Sequence, residues 1–227
     1  MTQELVPSTV RRGRPRSERS HQAILEATTQ LLEEAGFVAL TMEEVAVRAK
    51  VSKATIYRRW STKGVLVFDA FLALFLAKQP LPNTATLRGD LLGALRSWIR
   101  AVKGTVTGRT LVGLIAEVQR DPELADLWRE HFIGPVRDQH KIMLQRAIDR
   151  GEIAADTDSD VVLDLLYGSA YHRLLQSHLT LSDRFAQHVV DTIVCGLITP
   201  THTSGSPTRT ETRLPSSPHR PDRSPES

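Results

Sequence analysis

From residue 17 to residue 199 apolar side chains recur at intervals of three and four, and no stretch alternates with period two for long enough to build a strand. A chain patterned in this way buries its apolar surface by packing helix on helix, so the predicted fold class is all-α. Proline, which removes a helical hydrogen bond, occurs in this span only at Pro80, Pro82, Pro122 and Pro135. Breaks near Gly36, Lys50 to Ser52, Ser61 to Thr62, Pro80 to Thr86, Gly104 to Gly108, Asp121 to Pro122, Gly151 to Ser159 and Thr180 to Ser182 divide it into about nine helices. There is no internal repeat.

The flanks are of another kind. Residues 200–227 hold six of the 12 prolines, no aromatic and a single large aliphatic residue, Leu214. Such a segment buries too little apolar surface to offset its ordering entropy, so a disordered tail is expected there, and a disordered basic arm over residues 1–16. No apolar run approaches the ~18–20 residues that span a bilayer, and no apolar segment follows the charged N-terminus as in a signal peptide. A cytoplasmic chain with no membrane partner is expected. The lone Cys195 excludes an internal disulfide and a thiolate zinc cage, and its apolar helix suggests a buried small hydrophobe.

The net charge of +3 is informative only when resolved along the chain. Residues 1–63 carry 11 basic and 7 acidic side chains, whereas residues 64–199 carry 14 and 16. From Val45 to Phe68 there is no Asp or Glu, while Arg48, Lys50, Lys53, Arg58, Arg59 and Lys63 all fall within that stretch. Charge alone would suit a solvated helix face; the local motif is what points to phosphate.

That motif begins after an amphipathic helix bearing Ile24, Leu25, Leu31, Leu32 and Ala35, which Gly36 ends by supplying a left-handed residue. Thr41 and Glu44 then form a capping box, with Leu40 and Val45 as its hydrophobic staple, so a helix starts at Met42. Lys50-Val51-Ser52 interrupts it, and Ser52 reads as the next N-cap, with Val51 and Ile56 as a second staple. Two short helices joined by a tight turn make a helix-turn-helix. Ala46 and Ala49 permit close approach, and Ile56 and Trp60 form the buried row of the second helix. Lys53, Ala54, Thr55, Tyr57, Arg58 and Arg59 are thereby turned outward. This set carries forked guanidinium donors, a hydroxyl, a phenol and a small residue that lets the backbone approach, which is the chemistry of base edges and phosphates. Lys63, in the first turn of the next helix, sits where free amides and an ammonium together hold a phosphate. Arg12, Arg14 and Arg16, in an extended Arg-Gly-Arg-Pro-Arg segment, suit a narrow A·T-rich minor groove or a plain basic tail.

The run TMEEVAVRAKVSKATIYRRWSTKGVL, following a helix that ends at Gly36, resembles the N-terminal DNA-binding domain of TetR/AcrR-family transcriptional regulators over about residues 17–70. The resemblance implies a helix-turn-helix over residues 41–60, with Lys53, Ala54, Thr55, Tyr57, Arg58 and Arg59 facing the major groove and Thr41 and Lys63 near phosphates. Lys50 departs from the pattern, since many relatives have glycine in that turn, and a left-handed non-glycine residue costs about 1 kcal/mol.

Residues 86–198 resemble the family's ligand-binding and dimerisation domain more loosely, through Arg150 to Ile153 and the helix around Leu165 to Leu175. The implied organisation is an arm at 1–16, a DNA-binding domain at 17–64, a ligand-binding and dimerisation domain at 65–199 and a tail at 200–227. The helices from Ser159 to Leu179 and from Ser182 to Ile198 would pair with their copies in a second chain. Phe185, Val189, Ile193 and Leu197 form one apolar row, widened by Val190 and Val194, while Gly168, Ser169 and Ala170 allow close helix contact; the same rows would also serve as monomer core. An inducer pocket is expected among the middle helices, with Trp98, Phe132, Tyr167 and Tyr171 as its aromatics and His140 or His172 as polar contacts. Each is equally at home in a core or an interface. Trp128 reads as a packing anchor.

Two other functions compete. For an enzyme, the eight histidines include no i, i+4 pair and no HExxH; there is neither a glycine-rich phosphate loop nor a Gly-x-Ser-x-Gly. The pairs Glu117/Asp121 and Asp160/Asp164 share helix faces but read as solvated. No catalytic residue, metal site or cofactor is expected. A membrane-surface helix would need free apolar residues, whereas Ile56 and Trp60 are committed to packing. The expected function is a cytoplasmic, nucleoid-associated, homodimeric regulator, by resemblance a repressor, which binds a palindromic double-stranded DNA operator and is released by a small-molecule inducer.

Overall fold

The computed structural model describes residues 14–76 and 81–198, and among them every regular element is helical. The order is α1 (Arg14–Glu34), α2 (Gly36–Ala39), α3 (Met42–Arg48), α4 (Lys53–Tyr57), α5 (Lys63–Leu76), α6 (Leu87–Val102), α7 (Val106–Val118), α8 (Pro122–Trp128), a π-helical turn (Arg129–Ile133), α9 (Gly134–Asp149), α10 (Ser159–Gln176) and α11 (Asp183–Ile198). Helices α1, α3 and α4 form a small N-terminal head, and α6 to α11 form the body.

The nine expected helical segments are all present, with four local differences. Helix α1 begins at Arg14, so Arg14, Pro15 and Arg16 are helical rather than extended. A proline in the first turn is tolerated because its missing amide would have had no intrahelical partner there. Arg12 and the tail at 200–227 lie outside the described residues. After Gly36, whose φ of 77° only glycine adopts freely, the chain makes the extra short helix α2. The long segment after Pro122 is interrupted by the π-helical turn, where the Gly134 amide donates to the Arg129 carbonyl, five residues back. Pro135 follows directly and has no amide to donate to the His131 carbonyl, so the wider turn accommodates what an α-helical register could not. Helix α10 stops at Gln176 because Ser177 takes φ 52°, short of the expected end at Leu179.

One apolar core runs through head and body, and α5 is its spine. Val65, Leu66, Val67, Phe68, Ala70, Phe71 and Phe75 of α5 are all buried, as an all-round apolar helix between two layers requires. The helix packs on α1 to one side and on α7 and α8 to the other. A boundary at 64/65 therefore falls inside an element that serves both parts. At its far end Phe71 and Phe75 meet Trp128 and Phe132, with Trp128 and Phe132 4.6 Å apart between ring centroids. Trp128 is thus the packing anchor its position suggested. Cys195 corrects the sequence reading: it is exposed, because Ala186, Val190 and Ile193 supply the inner face of α11 and Cys195 points away from it.

Candidate nucleic-acid interface and the cavity behind it

The helix-turn-helix is built from its caps. The Thr41 Oγ1 accepts from the Glu44 amide at 3.2 Å, and the Glu44 carboxylate accepts from the Thr41 amide at 3.1 Å and its hydroxyl at 2.8 Å. Ser52 Oγ accepts from the Thr55 amide at 3.2 Å and starts α4. Between them Lys50 turns the chain with φ 54°, the left-handed conformation its neighbours impose on a residue that is not glycine. Val45, Ala46 and Ile56 are buried between α3 and α4. Trp60, just beyond α4, is also buried; its Nε1–H donates to Asp69 at 3.1 Å and its ring stacks on His21 at 5.3 Å. The second helix is held by its floor, and its other side faces solvent.

That side is the predicted one. Lys53, Ala54, Tyr57, Arg58 and Arg59 are exposed, Thr55 is half-buried, and Thr41 is exposed at the start of α3. Tyr57, at 49% exposed, lies out on the surface instead of filling a core. Two of the cations of this region are paired with carboxylates. Lys53 Nζ sits 2.5 Å from the Glu43 carboxylate, which this hydrogen bond holds below its usual pKa, and Arg48 bridges to Glu34 at 2.6 Å, tying α3 to α1. The Lys53–Glu43 pair is solvent-exposed on both sides, so exchanging Glu43 for a phosphate costs little. Lys63 opens α5, but its ammonium donates to the Phe37 and Val38 carbonyls at 3.1 and 3.2 Å and lies 4.9 Å from the Phe37 ring centre. It therefore closes the end of α2 and is half-buried there. The sequence carried no sign of this role, since residues 37 and 63 meet only through the fold.

Beyond the shared core, short polar contacts tie the head to the body. Ser61 donates to Glu123 at 2.9 Å and Thr62 to Asp121 at 3.2 Å, so the residues that follow α4 are held by the start of α8. Asp121 also accepts from the Leu124 amide as the N-cap of α8. The Glu117/Asp121 pair, expected to be solvated, thus includes a structural carboxylate. Phe37 of α2 packs on Gly113 of α7 so closely that a Cβ there would lie 2.7 Å from the ring.

Behind these contacts the body encloses a cavity of about 490 Å³. Five of the six aromatic and histidine residues proposed from sequence, Trp98, Phe132, His140, Tyr167 and Tyr171, line it. Phe75 from the end of α5 completes the aromatic wall, and Arg137 and Asp164 stand at the rim. His172 does not contribute: it is exposed and packs its ring on His178 at 4.8 Å, because it is on the opposite face of α10 from Tyr167 and Tyr171. His140 is fixed at both nitrogens, with Nδ1 2.6 Å from the Val136 carbonyl and Nε2 2.8 Å from the Tyr167 hydroxyl. A carbonyl only accepts, so Nδ1 carries the proton and Nε2 accepts from the phenol. Burial holds the imidazole below its usual pKa and pushes both phenols up, that of Tyr171 to about 12, so all three are uncharged at neutral pH. Arg137 was not foreseen. It bridges Asp160 at 2.8 Å and Asp164 at 2.6 Å, partners 23 and 27 residues away that no local pattern connects.

Residues 24–70 match the family described as bacterial regulatory proteins, tetR family, and residues 81–193 match the tetracyclin repressor-like C-terminal domain. The HTH-type transcriptional regulator YdeS of Bacillus subtilis is 38% identical over 79% of this chain and 90% of its own length. The DNA-binding transcriptional repressor TetR of Mycobacteroides abscessus is 34% identical over 82% of this chain and 97% of its own. Among solved structures, the TetR family transcription regulator SCO0332 superposes with a TM-score of 0.69 at 33% identity, covering 78% of this chain and 98% of that one.

Proposed function

The chain belongs to the TetR family of transcriptional regulators, and from that premise we propose that it is a homodimeric repressor which occupies a palindromic operator and leaves it when a small molecule fills the body cavity. It is a DNA-binding regulator and not an enzyme, as its relatives are. The sense of regulation is carried over from the repressor of Mycobacteroides abscessus. The site of action would be the cytoplasm, on the nucleoid.

The observation that carries the reading is the exposed set on and after α4, backed by buried Ile56 and Trp60. Lys53, Ala54, Thr55, Tyr57, Arg58 and Arg59 are assigned to the major groove, and Thr41 and Lys63 to the flanking phosphates. Arg12, Arg14 and Arg16 are assigned to the duplex as additional contacts, Arg12 lying outside the described residues. One such head reads few base pairs, so two copies about a twofold axis would read half-sites about 34 Å apart. The second copy would seat on α10 and α11, where exposed Val161 and Leu165 edge a groove also lined by Val189 and Leu197.

The response to ligand follows from α5. Lys63 at one end is beside the head and Phe75 at the other is in the cavity wall, about 18 Å along one helix. A ligand that favours a different seating of Phe75 and Phe132 moves α5 and α8 together, and with them Ser61 and Thr62 behind the reading helix. It releases DNA only to the extent that it binds the DNA-incompetent spacing better.

Selection of genomic fragments by the purified chain should recover a palindrome. On that duplex, Arg58→Ala should lose about 1–3 kcal/mol of discrimination against mismatched half-sites. Lys63→Ala should weaken all duplexes alike and lower the salt slope by about one, with some loss of thermal stability from the uncapped α2. Unchanged anisotropy titrations for both variants would remove α4 and Lys63 from the interface.

A further inference from the structure

The charge and hydrogen-bond pattern of the cavity narrow what it admits, an inference that rests on the ligand-binding reading above and goes on to the class of ligand. At the rim, the Arg137 guanidinium is paired with two carboxylates: Nε and Nη2 donate to Asp160 Oδ1 at 3.1 and 2.8 Å, Nη2 also to the Asp160 carbonyl at 3.0 Å, and Nη1 to Asp164 Oδ1 at 2.6 Å. Lys141 donates to the other Asp160 oxygen at 2.9 Å. Two cations face two anions, so the rim has no uncompensated charge for an ionic ligand of either sign. An anion on Arg137 would lie beside two carboxylates, and a cation on Asp164 would lie beside the guanidinium, so an ion of either sign meets a like charge at the rim.

Inside, the walls are rings: Trp98 lies 5.0 Å from Tyr171 and 6.2 Å from Tyr167 between centroids, and Phe75 meets Phe132 at 5.2 Å. Gln139 and the Tyr171 hydroxyl are polar groups of the lining, and a third handle is the His140–Tyr167 pair, whose direction is set by the Val136 carbonyl. Because Nδ1 holds the ring proton, Nε2 accepts a hydrogen bond from the Tyr167 hydroxyl, and the Tyr167 oxygen keeps a lone pair. Only a donor can use it.

We propose that the cavity selects an uncharged aromatic molecule bearing a hydroxyl, which donates to the Tyr167 oxygen while its rings pack among Trp98, Tyr171 and Phe132. The class is a neutral phenol or aryl alcohol, as distinct from an aryl carboxylate or a quaternary ammonium ion.

The test uses the full chain and four probes on one skeleton: biphenyl-4-ol, its methyl ether, biphenyl-4-carboxylate and biphenyl-4-trimethylammonium, each titrated calorimetrically. Biphenyl-4-ol should bind at least tenfold tighter than either ion and several-fold tighter than the methyl ether. Tyr167→Phe should abolish the preference over the ether. The double variant Asp160→Asn, Asp164→Asn should free Arg137 and improve carboxylate binding about tenfold; neither residue is the N-cap of α10, which is Asp158. Carboxylate or ammonium binding equal to that of the phenol, a phenol preference that survives Tyr167→Phe, or no binding of any probe would overturn the proposal. Release of operator DNA is scored separately. A phenol that binds as expected but leaves the operator complex intact upholds the ligand class and refutes the inducer role.

Discussion

His140 shows how much a single side chain depends on its surroundings. Exposed, it would titrate near 6.5; buried between Val136 and Tyr167 it is held neutral, mainly because charging it there means charging a group out of water. The folded state therefore binds fewer protons than the unfolded state as the pH falls through about 6.5, and stability is lost in that direction. The lowered carboxylates, Glu34, Glu43, Glu152, Asp160 and Asp183, act in the same sense but only below about pH 4.5, near their ordinary values. Melting temperatures between pH 7.5 and 5 should fall with acidification, and His140→Gln should flatten the slope in that window. An unchanged slope would mean that His140 is not held neutral. At this scale the sequence was most legible where a residue's neighbours are local: Thr41 and Ser52 announce their caps because the acceptor and the amide are three residues apart. Lys63 and Arg137 were illegible in their partners, since Phe37, Asp160 and Asp164 reach them only across the fold.

Among the elements, those bounded by caps were readable and those bounded by packing were not. Helices α3 and α4 are short, yet their start points follow from hydrogen bonds encoded within four residues. The π-helical turn could not be read, although its cause, Pro135, is plain in the sequence; whether a proline kinks, ends or bulges a helix depends on the room available beside it. The turn matters because it carries Phe132 into the cavity wall and joins it to α8, which holds Ser61 and Thr62. A second junction, Phe37 on Gly113, lies between α2 and α7. Gly113→Ala would place a methyl group 2.7 Å from the Phe37 ring, too close for two packed carbons, so α2 must give way. Urea denaturation should register a loss of about 1–3 kcal/mol, the ordinary range for an overpacked contact. Because Lys63 is bonded to the carbonyls of the same α2, operator affinity should fall as well. A fully stable variant would show that α2 is not held against α7 as described.

For the whole molecule the open surface is the groove of α10 and α11. Val161 and Leu165 are 51% and 56% exposed, more than an isolated chain gains by presenting large apolar residues side by side. If two copies cover them, Leu165→Glu should shift light-scattering mass from twice the 25.3 kDa chain toward the single-chain value and abolish operator binding while leaving helicity intact. A wild-type chain of single mass at micromolar concentration would sink the homodimer. The amino-acid sequence by itself determined the helical class, the two caps of the reading motif and its outward face, because each of these rests on spacings of three or four residues along one helix. It also marked the aromatics that line the cavity, but could not distinguish lining from core, since both need the same apolar character. Only the tertiary structure decided that Trp98, Phe132, His140, Tyr167 and Tyr171 meet around one space, that Arg137 is neutralised at its rim, and that α5 links that space to the head. These depend on which helices pack together, and the energy that decides packing is shared by residues tens of positions apart.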